Sequence, residues 1–405
     1  MRPYVYIVSL THSAHSHSVS LSLSSVYQTT ILSFCCPNPV AVEAGRRERE
    51  RLSEISHTHT VHSTRTAYTD NKAETMLWIL WWTIKCMASP TVWWHTSALL
   101  FMISTAAYII PALLMSIVPR IQGMAIHANL KKRYNATWAV VTGASSGIGK
   151  AMAHKLASQG VSVILVAVKD ELLSKTEEEF KRQFPRIQIR SVGVDLGSRD
   201  DGKTGYMETI ASATKDVVPT LIFCNAGYVL TGFFWETPIE KLMANVECNA
   251  CSCVKIAHHF VRRMVDAKKQ GAVVITSSAA AAMPSPFTVL YASTKAFLSS
   301  FGASLAAEVK SKGIDVCVVH PSPIASRFYD NTHKIDMLDF FKLFSVAPET
   351  LPDFIFASVG RTVWRDIGGV AVFFRLMMKV VDYNFMATLL ANIAHMMPDY
   401  KRHAK

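Results

Sequence analysis

Thr142-Gly143-Ala144-Ser145-Ser146-Gly147-Ile148-Gly149 follows the apolar run TWAVVT (residues 137–142) and opens a helical stretch, GKAMAHKLASQG. Glycines spaced GxxxGxG between a strand and a helix permit a tight turn in which backbone comes close to a ligand. The N-terminus of the following helix favours negative charge, such as a pyrophosphate. A glycine-rich turn alone is weak evidence; the strand–turn–helix setting gives it weight. It marks Gly143, Ser145, Ser146, Gly147, Ile148 and Gly149 as candidate cofactor-binding residues.

Outward from this turn the chain keeps alternating. The short apolar runs VSVILVAV, IQIRSVGV, TLIFCNAG, AVVITSS and IDVCVVH begin at residues 161, 187, 220, 272 and 314. Between them lie helical stretches such as KLMANVECNACSCVKIAHHFVRRMV. Buried β runs separated by helices predict an α/β fold with a doubly wound parallel sheet. After His320 the regularity fades. Residues 370–397 are apolar and rich in Met and Phe, but Arg375, Lys379 and Asp382 interrupt them. That pattern fits a substrate lid or a membrane-surface helix better than a second full span.

A second constellation carries the chemistry. Tyr291 and Lys295 are four apart, so on a helix they share one face. An ammonium beside a phenol is expected to lower the phenol's pKa toward working pH. Tyr291 then suits general acid catalysis on a carbonyl oxygen that receives hydride. Ser278, at the end of a strand, can hydrogen-bond the same oxygen. Tyr-x-x-x-Lys alone recurs by chance in surface helices; with the glycine turn and Ser278 beside it, coincidence is remote.

Cofactor choice is read in LVAVKDE, at the end of the second strand. An acidic residue there would pair with the ribose 2′-hydroxyl and favour NAD. Ala167 and Val168 supply none, and Lys169 offers a cation to a 2′-phosphate, so NADP(H) is expected. The competing reading leaves Lys169 solvated.

The N-terminal part differs. Residues 1–75 hold the Ser/Thr/His-rich stretches THSAHSHSVSLSLSS and SHTHTVHSTRT and the charged run GRRERERL. They read as a disordered tail rather than a His-rich metal tract, or as sequence upstream of a true start at Met76. From Cys86 to Pro119 there is no Asp, Glu, Lys or Arg, and residues 97–118 read SALLFMISTAAYIIPALLMSIV. About 20 apolar residues suffice to cross a bilayer. Trp78, Trp81, Trp82, Trp93 and Trp94 precede that run like an interfacial belt, and Arg120 and Lys131-Lys132-Arg133 follow it. A transmembrane anchor is expected, with its orientation left open.

Half of the 405 residues are hydrophobic and the formal net charge is +12. No nucleic-acid motif accompanies that charge, so a basic membrane-surface protein is the simpler reading. The eight cysteines include Cys251 and Cys253, too close for a zinc CxxC knuckle, and no metal site is expected.

Over about residues 135–330 the sequence resembles the short-chain dehydrogenase/reductase superfamily. The match lies in TGASSGIG, Asp195 after the third strand, Asn225-Ala226-Gly227, Asn249, Ser278 and Tyr291-Ala292-Ser293-Thr294-Lys295. The resemblance implies a Rossmann-type domain in which Asp195 contacts adenine and Asn225, with Ala226 and Gly227, lies by the cofactor. It implies that Asn249 holds a relay water, with Asn245 a nearby rival, and that Lys295 also binds the nicotinamide ribose. His320-Pro321-Ser322-Pro323-Ile324-Ala325-Ser326 sits where the family has Pro-Gly before its substrate loop. Pro321 and Ile324 therefore join the cofactor set, and Ser322 replaces the glycine.

A hydrophobic N-terminal segment joined to this core looks like the microsomal 3-oxoacyl-CoA reductases and 17β-hydroxysteroid dehydrogenases. The expected organisation is a tail (1–75), an anchor with basic linker (76–133), an NADP-binding catalytic domain (134–330) and a substrate-loop and helical C-terminal extension (331–405). The expected activity is NADPH-dependent reduction of a lipid ketone at the endoplasmic reticulum membrane, the catalytic domain on the cytosolic side. A 3-oxoacyl-CoA stands ahead of a steroid or retinoid carbonyl. A non-catalytic membrane protein that keeps the fold is the alternative of a different class, and a homodimer is left open. Lys401 and His403 resemble a KxHxx retrieval signal; a solvated basic tail accounts for them equally well.

Overall fold

The apolar runs become parallel strands whose side chains are buried on both faces, an arrangement that requires helices on each side of the sheet. The computed structural model describes residues 66–87, 89–121, 129–198, 205–329 and 335–403. Residues 1–65 of the expected tail, 122–128 of the expected linker, 330 at the end of the expected catalytic domain, 331–334 of the expected substrate loop and the final 404–405 lie outside the described residues.

The strands are β1 (Trp138–Thr142), β2 (Ser162–Ala167), β3 (Ile189–Gly193), β4 (Leu221–Cys224), β5 (Gly271–Thr276), β6 (Ile314–Pro321) and β7 (Trp364–Ile367). They form one seven-stranded sheet in the order β3-β2-β1-β4-β5-β6-β7, every pairing parallel. The doubly wound α/β expectation is met.

The first helices are α1 (Thr66–Met87), α2 (Pro90–Ile121) and α3 (Leu130–Tyr134). Within the sheet's crossovers lie α4 (Gly147–Ser158), α5 (Glu171–Gln183), α6 (Tyr206–Ala213), α7 (Ile239–Val246), α8 (Ser252–Asp266) and α9 (Val289–Val309). The C-terminal part adds α10 (Asp336–Lys342), α11 (Leu351–Ser358), α12 (Gly369–Val380), α13 (Tyr383–Ile393) and α14 (Pro398–His403).

Successive strand residues point to opposite faces, so each strand feeds two cores. Val141, Leu165 and Phe223 pack with Met152 and Leu156 of α4 and Phe356 of α11 on one side. Val140, Ile164 and Ile222 pack on the other with Ile256, Phe260 and Met264 of α8. The spacing of those three α8 residues, four apart, makes a single buried stripe.

Between β1 and β4 the winding direction reverses. Loops leaving the C-terminal ends of these two strands diverge, and ligands in such sheets bind in the crevice this opens. TGASSGIG leaves β1 there, and Asn225-Ala226-Gly227 leaves β4.

One feature of the sheet differs from the expectation. The regularity does not end at His320, because β7 pairs with β6. Its sequence, Trp-Arg-Asp-Ile, has no apolar run to signal a strand, yet Arg365 is 9% exposed. The stretch 370–397 forms two helices, α12 and α13. Val370, Ala371 and Phe374 of α12 pack on Ala279, whereas Phe373 and Val380 of α12 and Phe385 of α13 are exposed.

The chain divides into two units, Met1–Trp93 and Trp94–Lys405. In the first, α1 already begins at Thr66, inside the stretch expected to be tail, and Trp78 and Trp81 are exposed. In α2, Pro90–Ile110 is 21 residues, long and apolar enough to cross a membrane by length and composition. At 1.5 Å per residue that is ~32 Å, against a hydrocarbon core of ~30 Å. Within the second unit, the Tyr108 hydroxyl donates to Asp366 Oδ2 at 2.9 Å and Lys379 Nζ to Ser104 Oγ at 2.7 Å.

Candidate active site

The glycine turn is tight for two separate reasons. Gly143 and Gly147 adopt φ of 63° and 54°, a region open to glycine without strain. At Gly149 space decides: a Cβ would collide with the Gly143 carbonyl, so only glycine lets α4 start against the turn. Thr142 ties the ends of β1 and β4 together. Its Oγ1 accepts from Asn225 N and Ala226 N at 2.9 Å each, and Asn225 Nδ2 donates to Thr142 O at 3.2 Å. Asn225 therefore straps the crevice floor with its side chain. Thr142 is a site-building residue that the sequence reading used only as part of a motif.

A crevice of about 960 Å³ runs from this turn to the end of β5 and the C-terminal segments. Gly143, Ser145, Ser146, Gly147, Ile148, Asp195, Asn225, Ala226, Gly227, Ser278, Tyr291, Lys295, Pro321 and Ile324 all line it. Gly149, Lys169 and Asn249 stand outside its wall. Asp195 also forms a local turn, its Oδ1 accepting from Gly197 N at 2.8 Å.

Lys169 lies beside the crevice rather than in its wall. The chain bends after β2 so that Val168 and Asp170 line the crevice, while the Lys169 stem lies over Gly193 of β3. Asp170 turns its carboxylate onto α5, accepting from Leu173 N at 2.9 Å as the helix cap.

Asn249 sits in a π-helical turn, Glu247–Cys251, between α7 and α8. Its Oδ1 accepts from Tyr228 N and its Nδ2 donates to Tyr228 O, each at 2.9 Å. Asn245 reaches the same carbonyl at 3.0 Å. A Cβ on Gly227 would lie 2.9 Å from Asn249 Oδ1 and 3.4 Å from Lys295 Nζ, which places the two side chains together behind Gly227.

Ser278, Tyr291 and Lys295 converge as their spacing implied. Ser278 ends the β5 run, caps a short turn by accepting from Ala280 N at 3.2 Å, and hydrogen-bonds Tyr291. Lys295 Nζ lies 5.8 Å from the Tyr291 ring centre and donates to Thr276 O at 2.8 Å.

The electrostatics correct one expectation. Burial pushes the Tyr291 phenol well above its ordinary pKa, nearby Tyr329 adds to this, and the Ser278 hydrogen bond only partly opposes it. Lys295 does not bring the phenol down: its Nζ, 5.8 Å from the ring centre, is turned to Thr276 O, while burial pushes its own ammonium down to about 8. The result is a phenol that stays protonated at neutral pH, the form a proton donor needs.

Several crevice residues had no signal in the sequence. Phe328 and Tyr329, with Phe341 of α10 and Phe374 of α12, line the end beyond Tyr291. The Phe328 ring lies 5.9 Å from that of Tyr291. Ser322, which replaces the family glycine, accepts from Ala371 N at 3.0 Å and so fixes the start of α12.

The family model for short chain dehydrogenases matches residues 137–335. A very-long-chain 3-oxoacyl-CoA reductase-like protein of Arabidopsis thaliana is 31% identical over 232 residues, covering 56% of this chain and 72% of that protein. This chain belongs to the short-chain dehydrogenase family. The very-long-chain 3-oxoacyl-CoA reductase of Mus musculus is 32% identical over 197 residues, 47% of this chain and 60% of that one. Hydroxysteroid dehydrogenase-like protein 1 of Gallus gallus is 31% identical over 215 residues, 53% of this chain and 63% of that one. The match thus spans under two thirds of the mouse and chicken relatives. A solved 7β-hydroxysteroid dehydrogenase structure superposes with a TM-score of 0.56 at 23% identity, covering 64% of this chain and 98% of that one; it supports the fold alone. As a short-chain dehydrogenase the chain is an oxidoreductase whose fold binds a nicotinamide cofactor.

Proposed function

We propose that this short-chain dehydrogenase reduces a lipid ketone with NADPH, a 3-oxoacyl-CoA of fatty acid elongation ahead of a steroid or retinoid carbonyl. The observation that carries the reading is the convergence of Ser278, Tyr291 and Lys295 where a glycine-walled crevice becomes aromatic at Phe328, Tyr329, Phe341 and Phe374. The names of the Arabidopsis and mouse relatives support the acyl-CoA substrate, and that of the chicken relative supports the steroid alternative. A net charge of +12 suits the phosphates of an acyl-CoA.

The crevice fits a dinucleotide, because its glycine turn leaves backbone and the α4 N-terminus facing open space. Bound there, NADPH supplies the hydride. Tyr291 donates a proton from its hydroxyl to the ketone oxygen, and Ser278 hydrogen-bonds that oxygen. Lys295 would hold the nicotinamide ribose, Asn249 a relay water beside it, and Asp195 would meet the adenine. The aromatic end excludes water from the reacting carbonyl.

Preference for NADPH rests on Ala167 and Val168, neither of which offers a carboxylate to a 2′-hydroxyl, and on exposed Lys169 near the same rim. The kcat/KM for NADPH should exceed that for NADH, and Lys169→Glu should narrow the gap by about fivefold, as expected for an exposed charge. Equal values for the two cofactors in the wild type would overturn the preference. The same assay, run with long-chain 3-oxoacyl-CoA, a ketosteroid and retinal, tests the substrate. Turnover of none, with either cofactor, would leave the non-catalytic reading.

On this reading the protein sits at the endoplasmic reticulum membrane with residues 134–330 in the cytosol, residues 76–133 as its anchor and linker, residues 331–405 covering the substrate end, and residues 1–75 a dispensable tail. A chain without residues 1–75 should stay with membranes, and one starting at Arg120 should leave them. Sedimentation of the latter after a high-salt wash would move the anchor elsewhere, with α12 and α13 the first suspects.

A further inference from the structure

Behind Ser278 and Lys295 lies a buried polar chain that this chemistry does not use. Ser277 Oγ and Ser299 Oγ lie 2.7 and 2.9 Å from the Lys295 backbone carbonyl and 2.8 Å from each other. Ser299 Oγ also meets His320 Nε2 at 2.9 Å. His320 Nδ1 is 3.7 Å from Asp366 Oδ1. The other carboxylate oxygen of Asp366 is held by Arg375 Nε at 3.2 Å and by the Tyr108 hydroxyl at 2.9 Å. Ser277, Ser299 and His320 are at most 4% exposed, and the Asp366 side chain is 6% exposed.

Burying so many polar groups is costly unless they serve one another. The hydrogen-bond contacts place the protons. Asp366 faces Nδ1 at a distance too long for a hydrogen bond. Ser277 and Ser299 each donate to Lys295 O, which leaves His320 Nε2 to donate to Ser299 Oγ. Burial, the largest influence on His320, pushes its pKa down to about 4, so the ring is neutral at physiological pH.

All of these bonds converge on one place. Lys295 Nζ holds Thr276 O from the side-chain side, and Ser277 holds Lys295 O from the backbone side. The end of β5 and the helical turn of α9 are thereby clamped twice. Ser299 and His320 extend the clamp to β6, and Asp366 extends it to β7 and to the apolar helix α2.

We propose that Ser299 and His320 are positioning residues. Together with Asp366 and Tyr108 they hold the Tyr291–Lys295 turn in register with Ser278 and couple α2 to the catalytic centre. The proposal rests on the reductase reading given above. A displacement of about 1 Å at a reacting group can lower turnover by up to ~10².

The test compares full-length wild type, Ser299→Ala, His320→Leu, His320→Gln and Tyr108→Phe in lipid nanodiscs. The kcat should fall about tenfold in Ser299→Ala and His320→Leu and about threefold in Tyr108→Phe, with ketone KM and NADPH affinity within about twofold. His320→Gln, whose amide can reach Ser299 as Nε2 does, should recover most of the loss. Amide hydrogen exchange over residues 292–299 should speed up in the same order. Unchanged kcat and exchange in folded Ser299→Ala and Tyr108→Phe would overturn the proposal, even if His320→Leu fails to fold. So would a loss confined to KM. A wild type that turns over no ketone sinks the reductase reading alone, and the exchange rates then decide the clamp by themselves.

Discussion

Tyr291→Phe should cut ketone reduction by ~10²–10⁴ while leaving NADPH affinity within about twofold. Phe keeps the ring, its burial and its packing against Phe328, and removes the hydroxyl that Ser278 engages. A loss of that size is roughly 3–5 kcal/mol of barrier. Burial raises the phenol's pKa, so the wild-type group should remain a proton donor well above neutrality. The acid limb of the rate profile should then show no loss from Tyr291 itself. In the oxidation direction the same raised pKa is a handicap, because proton removal from the alcohol needs the phenolate. Oxidation rate should therefore climb with pH beyond the point where reduction levels off. Stopped-flow measurement of NADPH consumption checks the variant, and cofactor fluorescence checks binding. Undiminished turnover in Tyr291→Phe would mean that another group donates the proton.

Much of this site was legible because its demands are local. TGASSGIG states a strand end, a turn and a helix start within eight residues, and Tyr291 and Lys295 state their common face by their spacing. The six apolar runs were equally readable, since a strand buried on both faces must be apolar throughout. β7 was not, because its Trp-Arg-Asp-Ile is stabilised by pairing with β6 and by partners distant in sequence, such as Tyr108 and Arg375 on Asp366. The setting of Lys169 was hidden for a related reason. Sequence fixes where the strand ends but not how the chain bends after it, and the bend puts the stem of Lys169 on Gly193. The expectation for the Tyr291 pKa failed because spacing implies proximity and says nothing of burial, which here outweighs the neighbouring charge. The aromatic end is assembled from three separate C-terminal segments, so no window of sequence could show it.

Lys295→Met should abolish reduction without making the protein less stable. The loss of activity should be about 10³ or more, because in the proposed mechanism the side chain serves both the proton relay and the cofactor. Unlike Tyr291→Phe, it should weaken NADPH binding as well. Stability should respond in the opposite sense. Burial holds the Lys295 pKa at about 8 against an ordinary value of 10.5. The folded state therefore binds fewer protons than the unfolded state between those values, and stability from this group rises with pH across that window. Below pH 8 the ammonium is charged in both states and carries the full cost of burial, roughly 3 kcal/mol. Methionine removes that cost at similar volume, but leaves Thr276 O without its donor, a penalty of about 1–3 kcal/mol. The two nearly offset, so the variant should melt at or above the wild-type temperature at pH 7. Its relative advantage should shrink as the pH is raised from 8 to 10.5, because the wild type alone sheds a buried charge there. Thermal melts at pH 7 and pH 10 decide the matter. A Lys295→Met protein that melts well below wild type at pH 7, with the same deficit at pH 10, would show that the lysine stabilises the fold rather than being carried for chemistry.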